Sequence, residues 1–224
     1  MSVLVVAAHP DDEVLGCGGA IAKHAQRGED VVVCFLSDGV TSRESEADHA
    51  PELHRRRAAA LEAAGILGVA EVRFGALPDN RMDSVDLLTI ARAVEAHIRE
   101  FAPAMIYTHF AGDLNVDHRL THEAVMTACR PQPTSGVVTV LQFETTSSTE
   151  WRAPSASFAF QPDWFVDIDA TLKTKLEALD AYAEELRAWP HARSREALEH
   201  LARWRGATIG RAAAEAFVLA RHIA

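Results

Sequence analysis

Short apolar runs rich in β-branched residues alternate along this chain with longer segments of helical periodicity. Val3-Leu4-Val5-Val6-Ala7 reads as a buried strand, and Val14-Leu15-Gly16-Cys17-Gly18-Gly19-Ala20-Ile21 as a Gly-rich turn opening a helix. Val31 to Leu36 is a second buried strand. Leu53 to Leu67 is a helix closed by Gly68, and Val72-Arg73-Phe74 is a short strand. Val85 to Phe101 has a clear amphipathic pattern and stops before Pro103. Met105 to Thr108 predicts a strand, His118 to Ala128 a helix stopped by Pro131, Val137 to Phe143 a strand, and Trp164 to Ile168 one more. Alternating strands and helices imply βαβ units with right-handed crossovers. The expected fold class is α/β, a Rossmann-like three-layer α/β/α sandwich with a mostly parallel sheet. The tail from Leu172 to His222 reads as helical in two or three pieces, broken near Pro190 and Gly206. The Ser/Thr-rich stretch 145–149 and the Ala/Pro/Ser stretch after it read as a long loop, the kind of segment that often carries function.

Composition narrows the picture. At 224 residues the chain suits one well-packed domain, residues 1–224, without a second independent one. A formal charge of −10 argues against a nucleic-acid or membrane-surface binder. No apolar run approaches the ~20 residues of a membrane span, and the N-terminus lacks the features of a signal peptide. With three widely spaced cysteines, Cys17, Cys34 and Cys129, the expectation is a cytoplasmic protein with free, buried thiols. The four tryptophans are expected in the core or in subunit contacts.

The chemistry concentrates in two places. Ala8-His9-Pro10-Asp11-Asp12-Glu13 follows the first strand directly, and open α/β sheets bind ligands at the carboxyl ends of strands. His109, Asp113, Asn115, Asp117, His118 and His122 follow the strand ending at Thr108. Together they offer His9, Asp12 and His118 as a two-histidine, one-carboxylate set. Three protein ligands with a position left for water is the pattern of a catalytic zinc site. Zinc would bring the pKa of its water towards ~7, with Asp11 placed as general base. Blander roles stay open at this point: Asp11 and Asp12 as helix caps, His118 and His122 as neighbours on one helix face. Gly16-x-Gly18-Gly19 lacks the full dinucleotide-loop spacing, and the preceding acids would repel a pyrophosphate.

At these residues the chain resembles the LmbE-like, or PIG-L, family of zinc-dependent N-acetylglucosaminyl deacetylases. Ala8 to Glu13 and the glycines after it look like the family hallmark, and Gly112-Asp113-Leu114-Asn115-Val116-Asp117-His118-Arg119 like its second motif. Similarity extends through Leu77 to Arg81, Glu144 to Trp151, Pro190 to Ser194 and Arg205-Gly206. The resemblance implies His9, Asp12 and His118 as ligands of one Zn2+ per subunit, other divalent metals being possible. It implies Asp11 as the base that activates water against an acetamide carbonyl. Asp117 is expected behind His118, and Glu13 behind the other ligands. Arg56 falls where the family often has an arginine near the site. One departure stands out: many members have histidine where this chain has Asn115, which can donate to an oxyanion but cannot transfer a proton. His191, in a Pro-His-x-Arg-Ser turn, is the preferred substitute acid, with His109 and His122 as runners-up. Asp79 and Arg81 are candidate contacts to sugar hydroxyls, though with Asn80 they also read as a polar turn. Glu144, with Ser147 and Ser148, is a candidate cleft wall, and Arg193 a contact to an anionic group. The implied activity is removal of an N-acetyl group from a GlcNAc-type sugar or conjugate. The alternatives are a mycothiol- or antibiotic-pathway glucosaminide amide, or a sugar- or nucleotide-binding module without catalysis. The expected partners are a small N-acetylated amino sugar and other copies of the chain, as a trimer or hexamer.

Overall fold

The computed structural model describes residues 2–40, 42, 49–133, 135–153, 155 and 158–224. Seven strands form one sheet in the order β3-β2-β1-β4-β5-β7-β6. They are β1 (Ser2–Ala7), β2 (Asp30–Ser37), β3 (Glu71–Leu77), β4 (Met105–His109), β5 (Thr139–Phe143), β6 (Trp164–Asp167) and β7 (Ala214–His222). The first five pair in parallel, and β7 runs antiparallel to both β5 and β6. Among the described residues six α-helices cover the faces: α1 (Asp12–Gln26), α2 (Ala50–Leu67), α3 (Leu87–Phe101), α4 (Val116–Ala128), α5 (Leu172–Asp180) and α6 (Arg195–Ala207).

The strand sequences explain the layering. Val3, Val5 and Ala7 point into a core shared with α1, α2, α5 and α6, while Leu4, Val6 and Ala8 point into a second core built by α3 and α4. Because both faces of β1 and β2 are covered, the strands are continuously apolar instead of alternating. After β3 the chain returns to the far side of β1 and lays down β4. The strand order thus reverses beside β1, and the crevice beyond the ends of β1 and β4 is where such sheets take ligands. Among the described residues no helix is long and apolar enough to cross a membrane. Cys17, Cys34 and Cys129 are all free and buried.

The helix expected from Val85 begins two residues later. Asp86 provides the cap, its carboxylate accepting from the Thr89 N–H at 3.0 Å. The tail departs more. It holds α5 and α6, but its last third is not helical: β7 inserts between β5 and β6. Alanines at 214, 216 and 220 favour a helix locally. The sheet wins because Phe217 and its small neighbours fill the space beside β5, pairing with it on both sides of a register shift at Val140/Leu141. Gly206 does mark the expected break, one residue before α6 ends at Ala207. It lies inside α6, where a Cβ would fall 2.7 Å from the backbone of Ala213. Trp151, Trp189 and Trp204 are exposed rather than in the core, at 54, 56 and 65%. Residues 154, 156 and 157 of the expected long loop lie outside the described residues.

The glycines after Glu13 are not a turn before a helix. The chain is already helical at Asp12, and the helix breaks at Cys17 (φ −147°). Gly16 is needed for close approach, since a Cβ there would meet the Phe143 ring at 2.2 Å. The break leaves the Leu15 carbonyl and the Gly19 and Ala20 N–H groups without their usual helical partners. A buried ion pair replaces them. Lys175 Nζ donates to the Leu15 carbonyl at 3.0 Å, and Glu215 accepts from Gly19 and Ala20 at 2.8 and 2.7 Å. The two side chains meet each other at 2.6 Å. Glu215 sits on β7, so the strand that replaces the expected helix also completes α1.

Candidate active site

The first loop leaves β1 at Ala7, turns at Asp11 and enters α1 at Asp12. Asp11 has φ 116°, a conformation uncommon for a residue with a side chain and typical of functional loops. Its N–H donates to Glu13 Oε2 at 3.0 Å, and the Tyr182 hydroxyl donates to Glu13 Oε1 at 2.6 Å. Burial pushes the Glu13 carboxyl up to about 8. The side chain of Asp11 caps nothing and faces a cleft of about 190 Å3. Burial raises its pKa to about 6, against the opposing pull of Arg193, whose Nη1 lies 3.1 Å from Oδ2, and of Arg56 at 3.9 Å.

Two histidines converge on Asp12. His9 Nδ1 and His118 Nε2 lie 3.3 and 3.4 Å from Asp12 Oδ2, and each of these three buried residues offers a donor atom within 4.8 Å of the others. The far nitrogen of each ring faces another carboxylate. His9 Nε2 is 3.0 Å from Asp117 Oδ2 and 3.1 Å from Asp79 Oδ1. His118 Nδ1 is 3.1 Å from Asp113 Oδ1, within ion-pair range although not aligned as a hydrogen bond. Burial opposes protonation of His9, but Asp117, Asp12 and Asp79 outweigh it and raise its pKa well above the ordinary value. Asp12 and Asp113 likewise raise His118 to about 9 despite its burial. Asp12 itself is buried, yet His118 and His109 hold it well below the usual carboxylate range. His9, Asp79 and Asp117 form a second group with metal-ligand spacing.

The expected support for His118 is therefore reassigned. Asp117, in the first turn of α4, reaches back to His9 and accepts from the Asn80 and Met82 N–H groups at 2.7 and 3.0 Å. Asp113 supports His118 instead, held in place by Ser148 and by Thr149 at 2.5 Å. Asn115 caps α4, accepting from the Asp117 N–H at 2.8 Å and donating from Nδ2 to Asn80 Oδ1 at 2.8 Å. Arg56, Asp79, Asn115 and Arg193 line the cleft with His9, Asp11, Asp12 and His118. His191, Arg81 and Glu144 do not line it. His191 packs against Trp151, Arg81 is an exposed turn residue, and Glu144 forms a two-pronged pair with Arg205 at 2.8 and 2.7 Å. His109 lies buried behind Asp12. Its Nε2 accepts from the Ala8 N–H at 2.9 Å, and burial with the neighbouring His118 lowers its pKa to about 4. His122 bonds the His109 carbonyl at 3.2 Å.

Three participants escaped the sequence reading: Tyr182 beneath Glu13, Glu185 against Arg56, and Ser42, which donates to Asp79 at 2.5 Å. All three come from segments whose local pattern is ordinary, so only the tertiary fold brings them in.

The PIG-L family, described as GlcNAc-PI de-N-acetylase, matches residues 4–129. The chain is 32% identical over 208 residues to 4-oxalmesaconate hydratase of Pseudomonas putida KT2440, covering 85% of this chain and 76% of the relative. It is 34% identical over 164 residues to 1D-myo-inositol 2-acetamido-2-deoxy-alpha-D-glucopyranoside deacetylase 1 of Saccharopolyspora erythraea, covering 58% and 54%. The N,N'-diacetylchitobiose deacetylase of Pyrococcus horikoshii shares its fold, with a TM-score of 0.79 at 20% identity over 98% of this chain and 84% of that one. The family match spans more than half of the 224 residues and both acidic-histidine motifs, so the protein belongs to the PIG-L family of deacetylase enzymes.

Proposed function

We propose that this enzyme removes the N-acetyl group from an amino sugar or sugar conjugate of the GlcNAc type, by hydrolysis. One observation carries the reading: two histidine nitrogens converge on Asp12 beside Asp11, and the other nitrogen of each ring faces a carboxylate. Two nitrogens and one oxygen, with the outer nitrogen of His9 hydrogen-bonded to Asp117 and that of His118 facing Asp113, form a donor set that fits a divalent cation such as zinc, one per subunit. A cation held by His9, Asp12 and His118 supplies Lewis acidity towards the acyl oxygen and makes water more acidic.

Asp11 does the proton work. Burial raises the Asp11 carboxyl above the usual carboxylate range, which makes it a better acceptor for a proton from attacking water. It hands that proton to the leaving nitrogen as the amide C–N bond breaks, giving acetate and the free amino sugar. This return of the proton removes the need for His191 as acid. Arg193 orients the carboxylate from 3.1 Å. Glu13 holds the strained backbone of Asp11, Asp117 orients His9, and Asn115 keeps α4 and the Asn80 turn together. Arg56 and Asp79 face the sugar. The same reading includes a homo-oligomer, tested by solution mass.

The test is acetate release from a panel of N-acetylglucosamine and its inositol, malate and glycopeptide conjugates. Asp11→Asn should lower kcat by about a thousandfold, and chelation followed by zinc should abolish and restore activity. An Asp11→Asn enzyme as fast as its parent would sink the assignment. A second reading, hydration of an unsaturated oxo-acid, is favoured by the 32% identity to the hydratase and by two arginines beside Asp11. Loss of conjugated absorbance from such an acid, with no acetate from any sugar, would select it.

A further inference from the structure

The turn that carries Ser147 and Ser148 into the cleft ends on an exposed indole. Its backbone is closed by the Trp151 N–H on the Ser148 carbonyl at 3.2 Å, and Glu150 accepts from the Ser147 N–H at 2.6 Å. Trp151 is therefore fixed relative to the cleft wall while 54% of it stays exposed. His191 meets it edge-on, with centroids 5.5 Å apart and planes at 78°. His191 is held in turn: its Nδ1 accepts from the Arg193 N–H at 3.0 Å. Arg193 then ties both turns to the catalytic base, donating to Ser147 Oγ at 3.0 Å and to Asp11 Oδ2 at 3.1 Å.

Because Nδ1 accepts, the ring proton of neutral His191 sits on Nε2, which has no partner among the described residues. The rim thus offers an aromatic surface with a hydrogen-bond donor at its edge. A pyranose ring has the matching character, an apolar C–H face bordered by hydroxyls, and polarised C–H groups favour the negative face of an indole. A second copy of the chain suits the spot less well. Trp151 is bracketed in the chain by the charged Glu150 and Arg152, whereas the core of a subunit interface is depleted of charge.

We propose that Trp151 and His191 form a stacking subsite at the cleft rim for a second pyranose ring linked to the amino sugar. The inference rests on the deacetylase reading and adds to it a substrate class: saccharides of at least two rings.

Binding tests it apart from turnover. The Asp11→Asn enzyme is titrated by calorimetry with N-acetylglucosamine and with N,N'-diacetylchitobiose, alone and combined with Trp151→Ala, Trp151→Phe or Trp204→Ala. The disaccharide should bind more tightly than the monosaccharide. Trp151→Ala should reduce that preference by about tenfold, Trp151→Phe should restore most of it, and Trp204→Ala, an exposed indole on α6 outside the pair, should leave it unchanged. A preference untouched by Trp151→Ala, or no preference in the parent, overturns the subsite. So does a Trp151→Ala protein whose sedimentation mass falls while its sugar preference stays, which assigns the indole to a second copy. Acetate release by the wild type is read separately. Binding through Trp151 without acetate from either sugar overturns the reaction and leaves the subsite standing.

Discussion

Asp11 shows how much of a catalytic residue lies in its neighbours. Its motif can be read directly from the chain, because a histidine and three carboxylates packed after an apolar strand have few structural uses. Its geometry cannot, because the Glu13 and Tyr182 that hold it are 169 positions apart. Tyr182→Phe removes the donor to a buried carboxyl and should destabilise the fold by about 1–3 kcal/mol. It should also lower kcat more than it raises KM, since the Asp11 loop loosens while the cleft wall remains. Urea unfolding and steady-state kinetics check the pair of outcomes. A stable variant with unchanged kcat would show that Glu13 holds the loop alone. The same logic explains two misplaced residues. His191 sits in a loop turn with arginine and serine, which resembles a site, yet it reaches Asp11 only through Arg193. Asp117 precedes His118 in sequence, but its place in the first turn of α4 directs it back to His9.

Among the elements, β1 to β5 and their helices follow from periodicity, because each buries a face whose pattern is local. The last strand does not. Its alanines favour a helix, and only the gap between β5 and β6, together with the broken backbone of α1, specifies a strand there. The Lys175–Glu215 pair sits where these two demands meet. Lys175→Met leaves Glu215 buried with two N–H partners and should cost about 3 kcal/mol. Glu215→Ala should cost more, because it strands the Lys175 ammonium and the Gly19 and Ala20 N–H groups together. Denaturant midpoints at constant m-value give the order. The reverse order would mean that the break at Cys17 is held by packing against Phe143, not by the ion pair.

For the molecule as a whole, the sheet brings one charge class to one crevice. Asp11, Asp12, Asp79, Asp113 and Asp117 all gather beyond the ends of β1 and β4 in a protein of net charge −10. Two raised-pKa histidines and two arginines offset part of that repulsion. A divalent cation among the donors would offset more, and its binding to the folded chain alone would stabilise it by mass action. At a hundred times its Kd the gain is about 2.7 kcal/mol, which for a chain of this size corresponds to a rise in Tm of roughly 5–11 °C. Zinc added to the chelated protein should produce that rise. Asp12→Ala should remove the zinc response, because it deletes the oxygen on which both histidines converge. Asp79→Ala should preserve it if the ion sits among His9, Asp12 and His118. If instead Asp79→Ala abolishes the response and Asp12→Ala spares it, the ion belongs to the neighbouring group of His9, Asp79 and Asp117. Differential scanning calorimetry of the three proteins, with and without zinc, thus decides which set holds the metal without reference to any substrate.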